Sequence, residues 1–208
     1  MFPISDESKI RGKTSLITIV LIFLNVFFFF ISLKNLDFYI NNFGLVPERI
    51  FQGEALFSLI FAMFLHGGFS HLFGNMWFLW IFGDNLERKL GKLKFLFFYL
   101  LSGIGSGLIY SFLVSDKTVP VIGASGAISG VLAGYLVLFP RNKIRALVPG
   151  FFSWYIISVP ALFYIGIWFL YQFLYLGSDP FVAYWGHIGG FITGLILISL
   201  FKKYENKI

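Results

Sequence analysis

Six stretches of the chain carry no Asp, Glu, Lys or Arg: residues 14–33, 55–83, 95–115, 118–140, 146–178 and 180–201. A bilayer hydrocarbon core about 30 Å thick is crossed by roughly 20 apolar helical residues. Four stretches therefore predict one crossing helix each. The other two are too long for one crossing and too short for two. Within 55–83 the break falls at "HGGFSH", whose paired glycines end an apolar piece of the length expected for an interfacial or re-entrant segment. Within 146–178, Pro149, Gly150 and Pro160 place the crossing late. The pattern thus predicts spans near 14–33, 70–87, 94–114, 125–140, 157–176 and 184–201. The expected fold class is all-α: a polytopic six-transmembrane-helix bundle with a membrane-associated first loop, forming one domain over residues 1–208. The first stretch reads as a retained span rather than a secretory signal, because its apolar region is too long and no small-residue cleavage site follows.

Composition sharpens this picture. The chain is 58% hydrophobic and only 12% charged, whereas soluble domains carry about a quarter charged residues. It contains no cysteine, which excludes a disulfide framework, a thiolate nucleophile and a cysteine metal site. The net charge of +6 does not point to nucleic acid, because the basic residues lack aromatic interleaving on a soluble face and their distribution has a simpler meaning. Thirteen Lys and Arg lie in residues 1–13, 88–94, 141–145 and 202–207, against only Lys34, Arg49 and Lys117 in the alternate loops. The positive-inside rule then places both termini in the cytoplasm.

Ionisable residues within apolar spans are costly and are functional candidates by default. All three histidines, His66, His71 and His187, lie in or beside a span. His71 and Asn75 are four residues apart and share one helical face. That pair could equally be an interhelical hydrogen-bonding contact. "GASG", with Gly123, Ser125 and Gly126, is by itself a weak motif. Gly126, Gly130 and Gly134 continue it at spacing four, and Gly186, Gly190 and Gly194 repeat that spacing in the last span. Such small-residue rows let two helices approach closely.

At 1.5 Å per residue, His71, Ser125 and His187 each stand about 22–25 Å from the next cytoplasmic cation of their own span. They therefore share one level near the outer surface. Neutral imidazole is the usual base that activates a serine hydroxyl. Ser125, at a helix N-terminus, would offer unpaired amides to a developing oxyanion, and His71 and Asn75 could add donors. No carboxylate occurs in the outer half of any span. The implied device is a Ser–His dyad, with Tyr184 and Trp185 available to orient His187 and with Ser70 and Ser129 helping to line a wet cavity.

These residues resemble the rhomboid family of intramembrane serine proteases over nearly the whole chain. "FLHGGFSHLFGNMWFLWIFGDNLERKLG" is similar to the family's first loop and second span, "GASG" to its nucleophile motif, and "HIGGFITG" to its last-span motif. The resemblance implies cleavage of single-pass membrane proteins within or near their transmembrane segment, close to the outer face. It assigns Ser125 as nucleophile and His187 as general base, with Ser125, His71 and Asn75 forming the oxyanion hole. His66, Glu87, Gly91, Gly123, Gly126, Gly130, Gly190 and Gly194 match structural or motif positions. Expected partners are transmembrane protein substrates and the lipid bilayer, without nucleic acid, metal or cofactor. The expected location is a prokaryotic plasma membrane, with the site facing the extracellular or periplasmic side. Ser129 stands where some relatives carry an aromatic that stacks on the catalytic histidine. Three alternatives stand beside this reading: an inactive relative that binds membrane proteins, a proton-relaying transporter, and a zinc site on the three histidines. No H-E-x-x-H motif, carboxylate ligand or inverted repeat favours the last two.

Overall fold

The computed structural model describes residues 1–7, 15–150 and 152–205. Lys9, Arg11, Lys13 and Lys207, which enter the charge argument, lie outside the described residues, as does the side chain of Lys203. Among the described residues the chain runs β1 (Phe2–Asp6), α1 (Leu16–Ser32), α2 (Leu36–Phe43), α3 (Pro47–Phe51), α4 (Ser58–Phe61) and a 3-10 turn (Ala62–Phe64). One helical stretch follows in three parts: α5 (Phe69–Phe78), a π turn (Leu79–Gly83) and α6 (Asp84–Leu90). Then come α7 (Lys92–Leu113), α8 (Ser125–Leu138), β2 (Lys143–Pro149), β3 (Trp154–Pro160), α9 (Ala161–Leu174) and α10 (Tyr184–Glu205). By length and composition two helices, Lys92–Leu113 and Tyr184–Lys202, are able to cross a membrane. Leu16–Ser32, Ser125–Leu138 and Ala161–Leu174 are apolar but shorter.

The fold is not purely helical. β1, β2 and β3 form an antiparallel sheet in that order. Residues 157–160, expected at the start of a span, are instead the end of β3, so the helix begins at Ala161. The physical reason lies in Pro149 and Gly150, which turn the chain back on itself with the Gly150 N–H donating to the Ser153 carbonyl at 2.8 Å. Ile144 and Ala146 then point inward while Lys143 and Arg145 point out, the alternation of a half-buried strand.

Helix α8 is the centre of the molecule, and every residue from Gly126 to Tyr135 is buried. A helix covered on all sides cannot be amphipathic, and its small residues decide what fits around it. A Cβ on Gly190 would lie 1.9 Å from the Gly126 carbonyl oxygen, and one on Gly194 2.6 Å from the Gly130 Cα. α8 and α10 therefore touch backbone to backbone along this glycine seam. On another side Ser102 and Ser106 of α7 fill the space beside Gly130 and Gly126. Around the seam, Phe82, Leu86, Phe95, Phe98, Tyr135 and Phe191 belong to the apolar core.

Gly91 and Glu87 organise the opposite end. Gly91 has φ +82, a left-handed conformation that favours glycine, and it reverses the chain between α6 and α7. Buried Glu87 reaches across to the start of α1, accepting from the Ile17 N–H at 2.9 Å, the Thr18 N–H at 2.7 Å and the Thr18 hydroxyl at 2.9 Å. The first amides of a helix lack internal acceptors, so this carboxylate caps α1 from a distant element. Glu87→Ala leaves those donors bare and is expected to destabilise the fold by about 2–4 kcal/mol. Thermal unfolding in detergent micelles reads the effect, and an unchanged midpoint would refute the capping role.

Candidate active site

Ser125 is the first residue of α8, so the amides of its first turn lack intrahelical partners. The turn before it is held by Gly123, whose φ of +118 is again left-handed and whose N–H donates to the Ala62 carbonyl at 2.8 Å. One residue pair further out, Val121 and Leu45 bridge in antiparallel fashion. The first loop thereby pins the approach to the serine.

His71 and Asn75 of α5 face this turn. A Cβ on Gly123 would lie 2.6 Å from His71 Nε2 and 3.7 Å from Asn75 Nδ2, so only glycine lets both donors stand this close to the backbone leading to Ser125. Asn75 Nδ2 is buried without a hydrogen-bond acceptor. Buried polar groups are nearly always paired, and an unpaired donor beside a helix N-terminus is placed to receive an anionic oxygen. His66 is fully buried behind His71, its ring in edge-on contact at a centroid distance of 4.9 Å.

Ser125 and His187 line the same cavity, together with Met63, Ser106, Tyr110 and Gly186. Its volume of about 40 Å³ has room for a few water molecules. The Ser106 hydroxyl donates to the Gly186 carbonyl at 2.7 Å, tying α7 to α10 beside the histidine. No hydrogen bond joins Ser125 to His187 among the described residues. Among the described residues, no three His, Cys, Asp or Glu side chains converge as a metal site requires.

The residue that orients His187 is one the sequence reading missed. Gln172 of α9, buried in an otherwise apolar helix, places its Oε1 2.8 Å from His187 Nδ1. Its Nε2 donates one turn back to the Trp168 carbonyl at 2.9 Å. An amide oxygen only accepts, so Nδ1 carries the imidazole proton and Nε2 keeps its lone pair. The rings of Trp168 and Tyr184 flank the imidazole, with centroids at 6.1 and 6.4 Å. Trp168 thus takes the place expected for Trp185. The signal was available: Gln172 is the single amide in the stretch from Ala161 to Leu174, and a lone polar group in an apolar helix needs a partner. Ser129 turns away from the cavity and donates to the Ser125 carbonyl at 2.7 Å.

This arrangement can be compared with known proteins. The sequence pattern described as Rhomboid domain matches residues 53–204. The chain is 35% identical over 156 residues to RHOMBOID-like protein 6, mitochondrial, of Arabidopsis thaliana, covering 72% of this chain and 45% of that protein. It is 32% identical over 165 residues to Rhomboid protease AarA of Providencia stuartii, covering 68% of this chain and 59% of that protein. It is 29% identical over 150 residues to Inactive RHOMBOID-like protein 8 of Arabidopsis thaliana, covering 72% of this chain and 39% of that protein. The chain thus spans roughly half the length of these relatives. They range from a plant mitochondrial protein to a bacterial protease, which does not support the expected restriction to a prokaryotic plasma membrane. Members of the family are integral membrane proteins. With its domain pattern matched over well more than half of its length, the chain belongs to the rhomboid family.

Proposed function

We propose that the chain is an intramembrane serine endopeptidase that cleaves single-pass membrane proteins within or beside their transmembrane segment. The observation that carries this reading is the convergence of Ser125, His187 and the unpaired Asn75 amide around one helix N-terminus. In this reading six helical stretches cross the bilayer, both ends lie on the side of the cationic loops, and the site opens toward the opposite face.

His187 Nε2, freed for proton transfer by the Gln172 contact, takes the proton of the Ser125 hydroxyl as Oγ attacks the scissile carbonyl. The oxyanion meets the Ser125 N–H, His71 and the Asn75 amide, donors that are already in place and cost no reorganisation. The imidazolium returns its proton to the departing amine, leaving an acyl-enzyme. Water from the cavity then gives a proton to His187 as it attacks the ester, and His187 passes that proton to Oγ as the acyl–oxygen bond breaks, which releases the acid and restores Ser125. Catalytic hydrogen bonds often tighten only with substrate bound, in keeping with the missing Ser125–His187 bond.

Labelling with a fluorophosphonate probe tests the assignment. Wild type and Ser129→Ala are expected to label and to cleave, because the Ser129 hydroxyl is occupied by its own helix, while Ser125→Ala and His187→Ala do not label. Equal labelling of wild type and Ser125→Ala would remove the nucleophile, and a wild type inert to both probe and substrate would place the chain with inactive members of the family.

Gln172 is expected to act through His187. Gln172→Leu should lower kcat by about 10²-fold with little change in KM, on the scale at which partners of a catalytic group usually matter. Gln172→Glu should recover much of that loss, because its carboxylate oxygen can still accept from Nδ1. Equal losses in both variants would show that Gln172 only packs.

A further inference from the structure

Around the site the helices pack directly on one another along most of a circuit. The α5–α6 stretch lies against α1, α1 against α7, α7 against α10 and α10 against α9. The circuit closes differently between α9 and the α5–α6 stretch. There Tyr164 of α9 stacks on Phe82 of the π turn at 6.4 Å, and beside that ring pair the join is made by β1. The Pro3 carbonyl accepts from the Trp77 indole N–H of α5 at 2.6 Å, and Phe2 stacks on the Trp77 ring at 5.6 Å. The Met1 carbonyl accepts from the Tyr164 hydroxyl at 3.2 Å. Asp6 accepts from Asn85 of α6 at 2.9 Å and from the Tyr135 hydroxyl of α8. A single strand is thus tied to both helices that flank the join.

The candidate site straddles the same join. His71 and Asn75 stand on α5, while the His187 ring is held from α9 through Gln172. A scissile bond with its oxygen toward the α5 donors and its nitrogen toward His187 therefore reaches from one side of the join to the other. Elsewhere the walls are closed, because α8 meets α10 backbone to backbone and the other neighbouring helices pack directly. A transmembrane segment is about 10 Å across with its side chains. To bring such a segment to Ser125 from the bilayer, α9 must part from α5.

From this we infer that β1 is a latch across the join, an autoinhibitory contact that bars a transmembrane substrate until it is released. While Pro3 is held by Trp77 and Met1 by Tyr164, α9 stays against the α5–α6 stretch. Each tie is a single hydrogen bond or ring contact of small net worth, so an entering segment can replace them. The inference rests on the endopeptidase reading proposed above and goes beyond it, since no step of that chemistry involves β1.

Trp77→Phe combined with Tyr164→Phe keeps both rings and removes the donors to the Pro3 and Met1 carbonyls. The chain has no cysteine, so spin labels at Phe73→Cys on α5 and Tyr171→Cys on α9, both exposed, report the width of the join. In reconstituted vesicles the combined variant is expected to show longer and broader label distances than wild type. Its kcat/KM for a single-pass substrate should rise by about 5- to 20-fold, the scale of one or two hydrogen bonds. The rate at which a fluorophosphonate labels Ser125 should stay the same, because a small probe does not need the join to open. Unchanged label distances would overturn the latch whether or not the chain cleaves, and so would unchanged cleavage despite longer distances. Cleavage and labelling that fall together would make β1 a strut of the site and would also overturn it. Longer distances in a chain inert to both probe and substrate would overturn the endopeptidase reading, and the autoinhibitory role with it.

Discussion

Ser125→Ala and His187→Ala are each expected to lower kcat on a reconstituted single-pass substrate by about 10⁴- to 10⁶-fold, and the double variant to lose no more than the worse of the two. Residues that act as one unit are strongly non-additive, because removing either partner already removes the shared step. The serine hydroxyl is a poor nucleophile until its proton has somewhere to go, and His187 lines the same cavity with its Nε2 free. The remaining rate would come from the Asn75 and His71 donors and from substrate positioning. Losses that multiply in the double variant would mean that the two residues act in separate steps and would break the dyad.

Gly190→Ala is expected to destabilise the protein by about 3 kcal/mol or more, at the upper end of what overpacking costs. The added methyl would meet the Gly126 carbonyl oxygen at 1.9 Å, and neither partner is a flexible side chain that can swing aside. The two helices must part, and Ser125 and His187 part with them. Loss of activity should therefore accompany a lower midpoint in thermal unfolding. Gly74→Ala is the control, since nothing lies within 4 Å of a Cβ there, and alanine is the better helix former by about 1 kcal/mol. A Gly190→Ala protein as stable and active as wild type would show that the seam can open without consequence.

Much of the helical layout was legible because charge is so costly in an apolar setting that its absence outlines each helix. The seam was legible for a related reason: glycines at spacing four are expensive unless something presses on them, and α10 presses on α8. The sheet was not. Its alternation lasts only from Lys143 to Ala146 before turning uniformly apolar, and β1, which completes it, lies at the other end of the chain. Glu87 could be matched to a motif but not explained, since its acceptors serve the backbone of α1 and carry no mark in the sequence. The partner of His187 carries no charge to mark it, because the group that fixes its proton is a neutral amide on a different helix.

The π turn at Leu79–Gly83 sets an angle that the contacts alone do not reveal. Along an unbroken α-helix Asn75 and Glu87 would point about 120° apart, at about 100° per residue. One extra residue taken up by a π turn removes roughly 100° of that rotation. Both side chains, buried at 8% and 2% exposure, then point inward from one helical stretch, one toward the serine turn and the other toward the start of α1. The turn works as a phase corrector between the candidate site at one end of the helix and the anchorage of α1 at the other. Forcing the same residues into an unbroken α-helix would keep every side chain in the sequence and aim those on one side of the turn at the wrong neighbours.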